Sequence, residues 1–206
     1  MSYTYSELWG NYSGLASSDE DGRVSPNVNR FFDHIENSYD ANQQLVYGAL
    51  GTDRPHALKA QLLYRFPFKL SVGVNQYIAS GIPISEEGRV PTNIPFFPYG
   101  RNNLGRTPSL TQTDLSLYQD IKLGSFNLQL GLNVLNLFDE DTETRRINER
   151  LSADLPIDTE EFFAGGWDYE TLVAQLEADG DTNPLFNQAD QFQGRRSLRL
   201  SVKVEV

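Results

Sequence analysis

The chain of 206 residues contains no cysteine. That removes disulfide frameworks, thiolate metal sites and cysteine nucleophiles together. Histidine is scarce: His34 and His56 stand apart, in no HExxH pattern and beside no nucleophile, so no acid–base or metal-hydrolytic centre is visible. No G-x-S-x-G occurs, "GNYSG" has the wrong spacing for one, and there is no glycine-rich phosphate loop. Positive charge is short, with 17 Lys and Arg against 28 Asp and Glu and a net charge of -11. A nucleic-acid partner, which calls for a basic face, is therefore not expected. No run approaches the about 20 apolar residues of a membrane-spanning helix, and mean hydropathy is -0.46. The start "MSYTYSELWGNYSG" has neither the basic beginning nor the apolar centre of a signal peptide. Low hydropathy says nothing about membrane β-strands, which alternate and average to a polar value.

What is present is alternation. Five segments carry apolar residues at every second position, the pattern of a strand with two unlike faces. In 56–66 the apolar set is Leu58, Ala60, Leu62, Tyr64 and Phe66; in 70–80 it is Leu70, Val72, Val74 and Ile78. In 111–123 it is Leu115, Leu117, Ile121 and Leu123; in 126–137 it is Phe126, Leu128, Leu130, Leu132 and Val134. The last segment, 197–206, sets Leu198, Leu200, Val202, Val204 and Val206 against Ser197, Arg199, Ser201, Lys203 and Glu205. A weaker sixth strand is expected near 2–13.

The phases predict register. Cross-strand partners in an antiparallel hairpin share a face. Odd-phase Leu123 can oppose even-phase Phe126 only across an even loop, and Gly124-Ser125 supplies it, with Gly first as a type II′ turn requires. Ile121 then faces Leu128, Leu117 faces Leu132 and Leu115 faces Val134. The hairpin of 56–66 with 70–80 keeps one phase, so its loop is odd: Pro67-Phe68-Lys69, pairing Phe66 with Leu70, Tyr64 with Val72 and Leu62 with Val74.

Both tight turns lie at one end. The other connections, 14–54, 81–110 and 138–196, run to about 40, 30 and 60 residues, far above the usual loop of a compact domain. They are acidic and rich in Asn, Gly and Pro. One holds a helical pattern, "DYETLVAQLEA", with Asp168 placed to cap it and Leu172, Val173 and Leu176 on one face. A shorter helical turn is expected at "TEEFF". The acidic runs Asp19-Glu20-Asp21, Asp139-Glu140-Asp141 and Asp179-Gly180-Asp181 offer hard oxygens suited to Ca²⁺, without EF-hand spacing; solvated loops are the simpler reading.

Alternation fits a soluble sandwich or a membrane barrel. Three features favour the barrel. The strands run about 10–12 residues, near membrane-barrel length and longer than the usual 5–6. Turns are short on one side and loops long on the other. Every charge in the five clear strands (Lys59, Arg65, Asp114, Asp120, Lys122, Arg199, Lys203, Glu205) lies opposite the apolar face. On a lipid face a Lys or Arg would cost about 2–4 kcal/mol at mid-bilayer. Aromatics gather at strand ends, namely Tyr64, Phe66, Phe68 and Phe126 by the tight turns and Tyr77 and Phe138 towards the long loops, as in interfacial girdles. His56 opens a strand on the loop side and reads as interfacial. The fold class expected is all-β: an antiparallel transmembrane β-barrel segment of about six strands, an incomplete barrel, spanning 1–206. Six strands are too few to close, because the smallest such barrels have about eight. Alone, the segment is expected to expose two edges and an apolar face and to aggregate.

Five stretches carry a resemblance. "DRPHALKAQLLYRFPFKLSVGVNQYIASGIP", "FFPYGRNNLGRTPSLTQTDLSLYQDIKL", "LQLGLNVLNLFDEDT" and "NPLFNQADQFQGRRSLRLSVKVEV" resemble the late strands of TonB-dependent receptors, and "SYTYSELWGNYSGLASSDEDGRVSPNVNRFFD" is similar to their large Oar-like branch. That branch carries a carboxypeptidase-regulatory-like domain at the N-terminus. The resemblance implies a barrel of about 22 strands with an N-terminal plug, of which this chain would be the C-terminal part, with the plug absent. It implies an outer-membrane location of the Gram-negative type and uptake of a large solute, energised through the TonB complex. The partners it implies are outer-membrane lipid, the missing N-terminal strands and plug, TonB through that plug, and the barrel-assembly machinery. That machinery would read the terminal strand at Leu198, Leu200, Val202, Val204 and Val206, although the family's usual final aromatic is Val206 here. In the 81–110 loop, Phe96, Phe97 and Tyr99 are the aromatic candidates for ligand or plug contact, and Arg101 and Arg106 the cationic ones; the same residues also suit a loop anchor at the lumen mouth. No catalytic, metal or cofactor residue is assigned, and the chain is not expected to be an enzyme. Two other readings are a soluble β-sandwich module binding carbohydrate or another ligand, and an outer-membrane barrel hydrolase, for which no nucleophile and base converge.

Overall fold

The computed structural model describes residues 1–11, 37–91 and 94–205. The expectations for strand residues 12–13, His34, the run Asp19–Asp21 and Val206 fall outside them. Six strands make one antiparallel sheet: β1 (Ser2–Tyr5), β4 (His56–Arg65), β5 (Leu70–Ala79), β6 (Leu110–Leu123), β7 (Phe126–Leu135) and β10 (Ser197–Glu205), in that spatial order. Two small ladders lie outside it, β2 (Trp9–Gly10) with β3 (Gly48–Ala49) and β8 (Glu143–Arg146) with β9 (Ala189–Phe192). The sheet is open, with β1 and β10 as its two edges. The fold is mostly β, and among the described residues no helix is long and apolar enough to cross a membrane.

Turn chemistry sets the register. At Gly124-Ser125 only Gly124 has positive φ (60°), as a II′ turn demands, and Leu123 pairs with Phe126. Between β4 and β5 the third loop residue, Lys69, takes the left-handed conformation (φ 64°), while Lys69 N–H donates to Phe66 O and Phe66 N–H to Leu70 O. This is the three-residue loop in which a left-handed residue closes the turn, a place usually given to Gly. The resulting pairs, Tyr64 with Val72, Leu117 with Leu132 and Leu115 with Val134, are those the phases require.

Carried across the sheet, the register makes continuous apolar rows. Tyr64, Val72, Leu117, Leu132 and Leu200 form one; Leu62, Val74, Leu115, Val134 and Leu198 the next. The eight strand charges all share the other face. Two details depart from simple alternation. Leu63 lies on the polar side, exposed and packed near Gly73. Tyr77 does not join an outward girdle: it pairs with Lys59 and Gln112 on the polar face, with the Lys59 ammonium 5.8 Å from its ring centre. Its odd position on β5 dictates this. The loop-end aromatics on the apolar side are instead Tyr3 and Tyr5 on β1, which flank His56.

The connections are not loose. Helix α1 (Thr159–Ala164) starts at a capping box in which Asp158 accepts from Glu161 N–H and the Glu161 side chain accepts from Asp158 N–H. Helix α2 (Tyr169–Asp179) is capped by Asp168 and ends at left-handed Gly180. Both bury one face in the cluster that forms the main core: Val90, Phe96, Leu151, Leu155, Phe162, Tyr169, Val173 and Leu176.

Candidate functional site

The distribution of burial is inverted relative to a soluble β-domain. Among the described residues, the buried apolar ones that belong to the six-stranded sheet are only Ala79 and Val134, and both sit at its loop end. The sheet's apolar side is open: Leu62 is 66% exposed, Leu200 80% and Val202 68%. A sheet face this apolar would bury itself if water were its solvent, since each large side chain gains about 1.5–3 kcal/mol on leaving water. The closed core lies among the long connections.

That core places the aromatic candidates. Phe96 is fully buried, its ring edge-on to Phe162 at 5.4 Å and to Tyr169 at 5.5 Å between centroids. Gly88 makes room for it, because a Cβ there would lie 2.4 Å from the Phe96 ring. Phe97 is buried as well, under the Arg101 guanidinium, whose carbon is 4.3 Å from the ring centre. In this conformation neither ring offers a surface to a ligand. Tyr99 is 44% exposed and donates its hydroxyl to Glu170 on α2. Phe96 thus sits inside the seam with α2 and Tyr99 at its rim, whereas Phe97 is enclosed beneath Arg101 and donates its N–H to the Tyr39 carbonyl at 2.8 Å.

The two arginines hold loops together. Arg101 donates to Ser38 Oγ at 3.1 Å. Arg106 donates to Asp53 Oδ2 at 2.6 Å and to the carbonyls of Asp53 and Gly81 at 3.1 and 3.0 Å. The Asp53 carboxylate is 4% exposed and also accepts from Leu8 N–H at 2.8 Å, so one ion pair joins three chain segments at the sheet's upper rim. The strand order forces Arg106 and Asp53, 53 residues apart, to that rim. No local pattern in the sequence marks them as partners.

A second polar cluster underlies α2. Glu86, nearly buried, accepts from the Tyr169 hydroxyl at 3.3 Å. Burial pushes its carboxyl above the ordinary range, opposed by the positive Arg150. Arg150 is itself bound to Glu177 at 3.0 Å and lies 3.9 Å from Glu170. The Tyr169 phenol is raised by burial and by Glu86. His56 bonds Tyr3 through Nδ1 at 2.7 Å on an exposed edge, and no carboxylate among the described residues is bonded to its ring. Among the described residues no group of three or more His, Cys, Asp or Glu is arranged to hold a metal. Asp139 and Asp141 accept from Arg196 N–H and Arg195 respectively.

The polar face of the sheet is the other candidate surface. Its rows combine Asp114, Asp120, Gln129, Asn133 and Lys203 with small residues. Tyr118 lies over Gly131, where a Cβ would come within 2.8 Å of its ring, and donates to Asn133 at 3.0 Å. A cleft of about 280 Å³ opens on this face beside the tight turns.

No protein-family model matches the chain, and no solved structure matches it. Over 219 aligned residues it is 28% identical to the TonB-dependent transporter Oar of Myxococcus xanthus. The alignment covers 98% of this chain and 20% of that protein, so the chain spans about a fifth of the length of the curated relative it matches. The similarity is distant but runs along nearly the whole chain.

Proposed function

We propose that the six-stranded sheet is a section of the wall of an outer-membrane β-barrel, in a TonB-dependent transport or receptor protein that takes up a large solute. Its apolar face meets lipid and its polar face lines an aqueous lumen. The long connections project on the outer side and the tight turns face the periplasm. The observation that carries this is the open apolar face set against a core confined to the loops.

Dimensions support it. On β6 the outward positions are apolar from Leu123 to Leu115, except Gln119, and the next is Thr113. Gln119 is satisfied by the carbonyls of Phe68 and Asp120, both at 3.0 Å, and Thr113 donates to Gln76 at 2.5 Å. At about 3.4 Å per residue and a tilt of about 40°, Leu123 to Thr113 spans about 26 Å, against an apolar band of about 25 Å in such barrels. In lipid the edges of β1 and β10 must pair with further strands. Those would come from the rest of such a barrel, with β10 as the strand presented to the assembly machinery and a plug contacting TonB. The role is transport, not catalysis. A soluble ligand-binding sandwich would place its core between two facing sheets, and the described residues form one large sheet with its core elsewhere.

The absence of cysteine makes the test direct. Single cysteines at Leu130, Leu132 and Leu200, and at Gln129, Asn133 and Lys203, would be spin-labelled in the protein as its whole gene encodes it, in lipid vesicles. The first group should collide with oxygen and the second with a water-soluble nickel complex. Uniform shielding of the first group in a detergent-free globule would overturn the proposal.

A further inference from the structure

Among the described residues, two side-chain oxygens are enclosed without a hydrogen-bond partner: Glu140 Oε2 and Gln193 Oε1. Both belong to one cluster at the loop end of the sheet. The Thr111 hydroxyl, at the start of β6, donates to Glu140 Oε1, and Gln193 Nε2 donates to the Thr111 carbonyl at 2.7 Å. Asn136, 2% exposed, ties the same two stretches a second time. Its Nδ2 donates to the Glu140 carbonyl at 2.7 Å and to the Gly194 carbonyl at 2.9 Å, and its Oδ1 accepts from Glu140 N–H at 2.9 Å. Gln193 is itself only 8% exposed, and its N–H donates to the Thr142 carbonyl at 2.8 Å. Each of the two side chains thus spends one terminal atom on Thr111 and keeps its other oxygen enclosed and unpaired.

Two enclosed acceptors in one cluster, one of them a carboxylate oxygen, are costly without a positive partner. The neighbouring acids are otherwise engaged: Asp139 accepts from Arg196 N–H at 2.8 Å, and Asp141 is paired with Arg195 at 3.1 Å. Arg195 and Arg196 stand against Asp139, Glu140 and Asp141, so the immediate charge is negative and favours a cation.

We propose that Glu140 Oε2 and Gln193 Oε1 hold a calcium ion. Carboxylate and amide oxygens are ordinary ligands of Ca²⁺, whose flexible shell of about six to eight oxygens can be completed by water; Mg²⁺ demands a tighter octahedron and gives up its water reluctantly. With a single charged ligand the site belongs at the weak end of the Ca²⁺ range, with a Kd on the order of 1 mM. The ion fastens three stretches together: the start of β6, the turn after β7 and the approach to β10. It does so whichever face of the sheet meets lipid.

The test uses the protein as its whole gene encodes it, in vesicles of phosphatidylcholine, a lipid without net charge. Amide exchange at Glu140 and Gln193 is compared in EDTA and in about 10 mM Ca²⁺. At about ten times the Kd, openings that release the ion become about tenfold rarer, so exchange at both amides should slow about tenfold, with the turn at Gly124-Ser125 unchanged. Glu140→Gln should abolish the response to Ca²⁺. Its new amide can donate to Gln193 Oε1, so protection in EDTA should persist, and misfolding does not mimic the loss. Gln193→Glu supplies a second carboxylate and should lower the half-maximal Ca²⁺ concentration about tenfold. Equal exchange with and without Ca²⁺, the same slowing from Mg²⁺ at that concentration, slowing that is uniform along the sheet, or a Ca²⁺ response that survives Glu140→Gln would each overturn the inference.

Discussion

Replacing Leu132 by lysine separates a lipid-facing sheet from a water-facing one. Leu132 sits midway along β7, flanked by Leu117 and Leu200 in an apolar row that crosses five strands. If that row faces acyl chains at mid-bilayer, Leu132→Lys costs about 2–4 kcal/mol. At about 1.4 kcal/mol per decade, this is between about thirtyfold and a thousandfold in the folding equilibrium. On a water-exposed face the same change would be close to neutral. The control is Gln129→Lys on the same strand. Gln129 donates to Asp120 Oδ1 at 2.8 Å on the polar face, and a lysine there keeps a donor beside that carboxylate. Its cost should stay within about 0.5 kcal/mol, as for surface changes that break no special feature. Both variants, in the protein as encoded by its whole gene, would be unfolded with urea in phospholipid vesicles and followed by far-ultraviolet circular dichroism and heat-modifiable gel mobility. Equal midpoints for Leu132→Lys and Gln129→Lys would refute the orientation of the faces, as would cooperative folding of the unsubstituted protein without lipid or detergent.

Other outcomes follow from the loop assembly. Phe162→Ala removes a fully buried ring at the centre of the core and should cost about 3–5 kcal/mol, read as faster amide exchange across α1 and α2 with the sheet unchanged. Arg106→Met strands the buried Asp53 carboxylate; breaking such a pair costs about 3–5 kcal/mol, reduced here because Arg106 is 30% exposed, and limited proteolysis near residues 51–55 and 80–83 should report it. Because burial raises the Glu86 carboxyl above its unfolded value, its contribution to α2 docking is complete below the ordinary glutamate range and is lost as pH rises through the raised value. Amide protection at Val173 should therefore be greater at mildly acidic than at alkaline pH after correction for intrinsic exchange, and Glu86→Gln should abolish the difference. Below the ordinary aspartate range the trend should reverse, since Asp168, held low by the Thr171 hydroxyl and N–H, loses its capping charge there.

Local chemistry made much of the architecture readable in advance. Period-two alternation placed the main strands to within a residue or two, because each side chain must choose one of two faces. The parity of the loops at Pro67-Phe68-Lys69 and Gly124-Ser125 set two hairpin registers, since a one-residue slip would have turned Leu117 and Leu132 onto the charged side. Asp168 before an apolar 3.6-residue period announced α2. The short first strand was less legible: pairing stops at Tyr5, and Trp9–Gly10 leaves to pair with Gly48–Ala49.

The long connections were opaque for a physical reason. Phe96, Phe162 and Tyr169 carry no shared period, and their meeting depends on where the sheet delivers two separate connections, 81–110 and 138–196. The same holds for Arg106 with Asp53 and for Arg65 with Asp120, which are distant in sequence and adjacent only through the strand order. Local sequence by itself determined which residues share a face and which turns can join them, because those are properties of neighbouring backbone geometry. Only the tertiary structure decided that the core lies in the loops, that Phe96 and Phe97 are enclosed, and that lysines from separate strands line one cleft, because each of these depends on contacts between segments that no local period encodes.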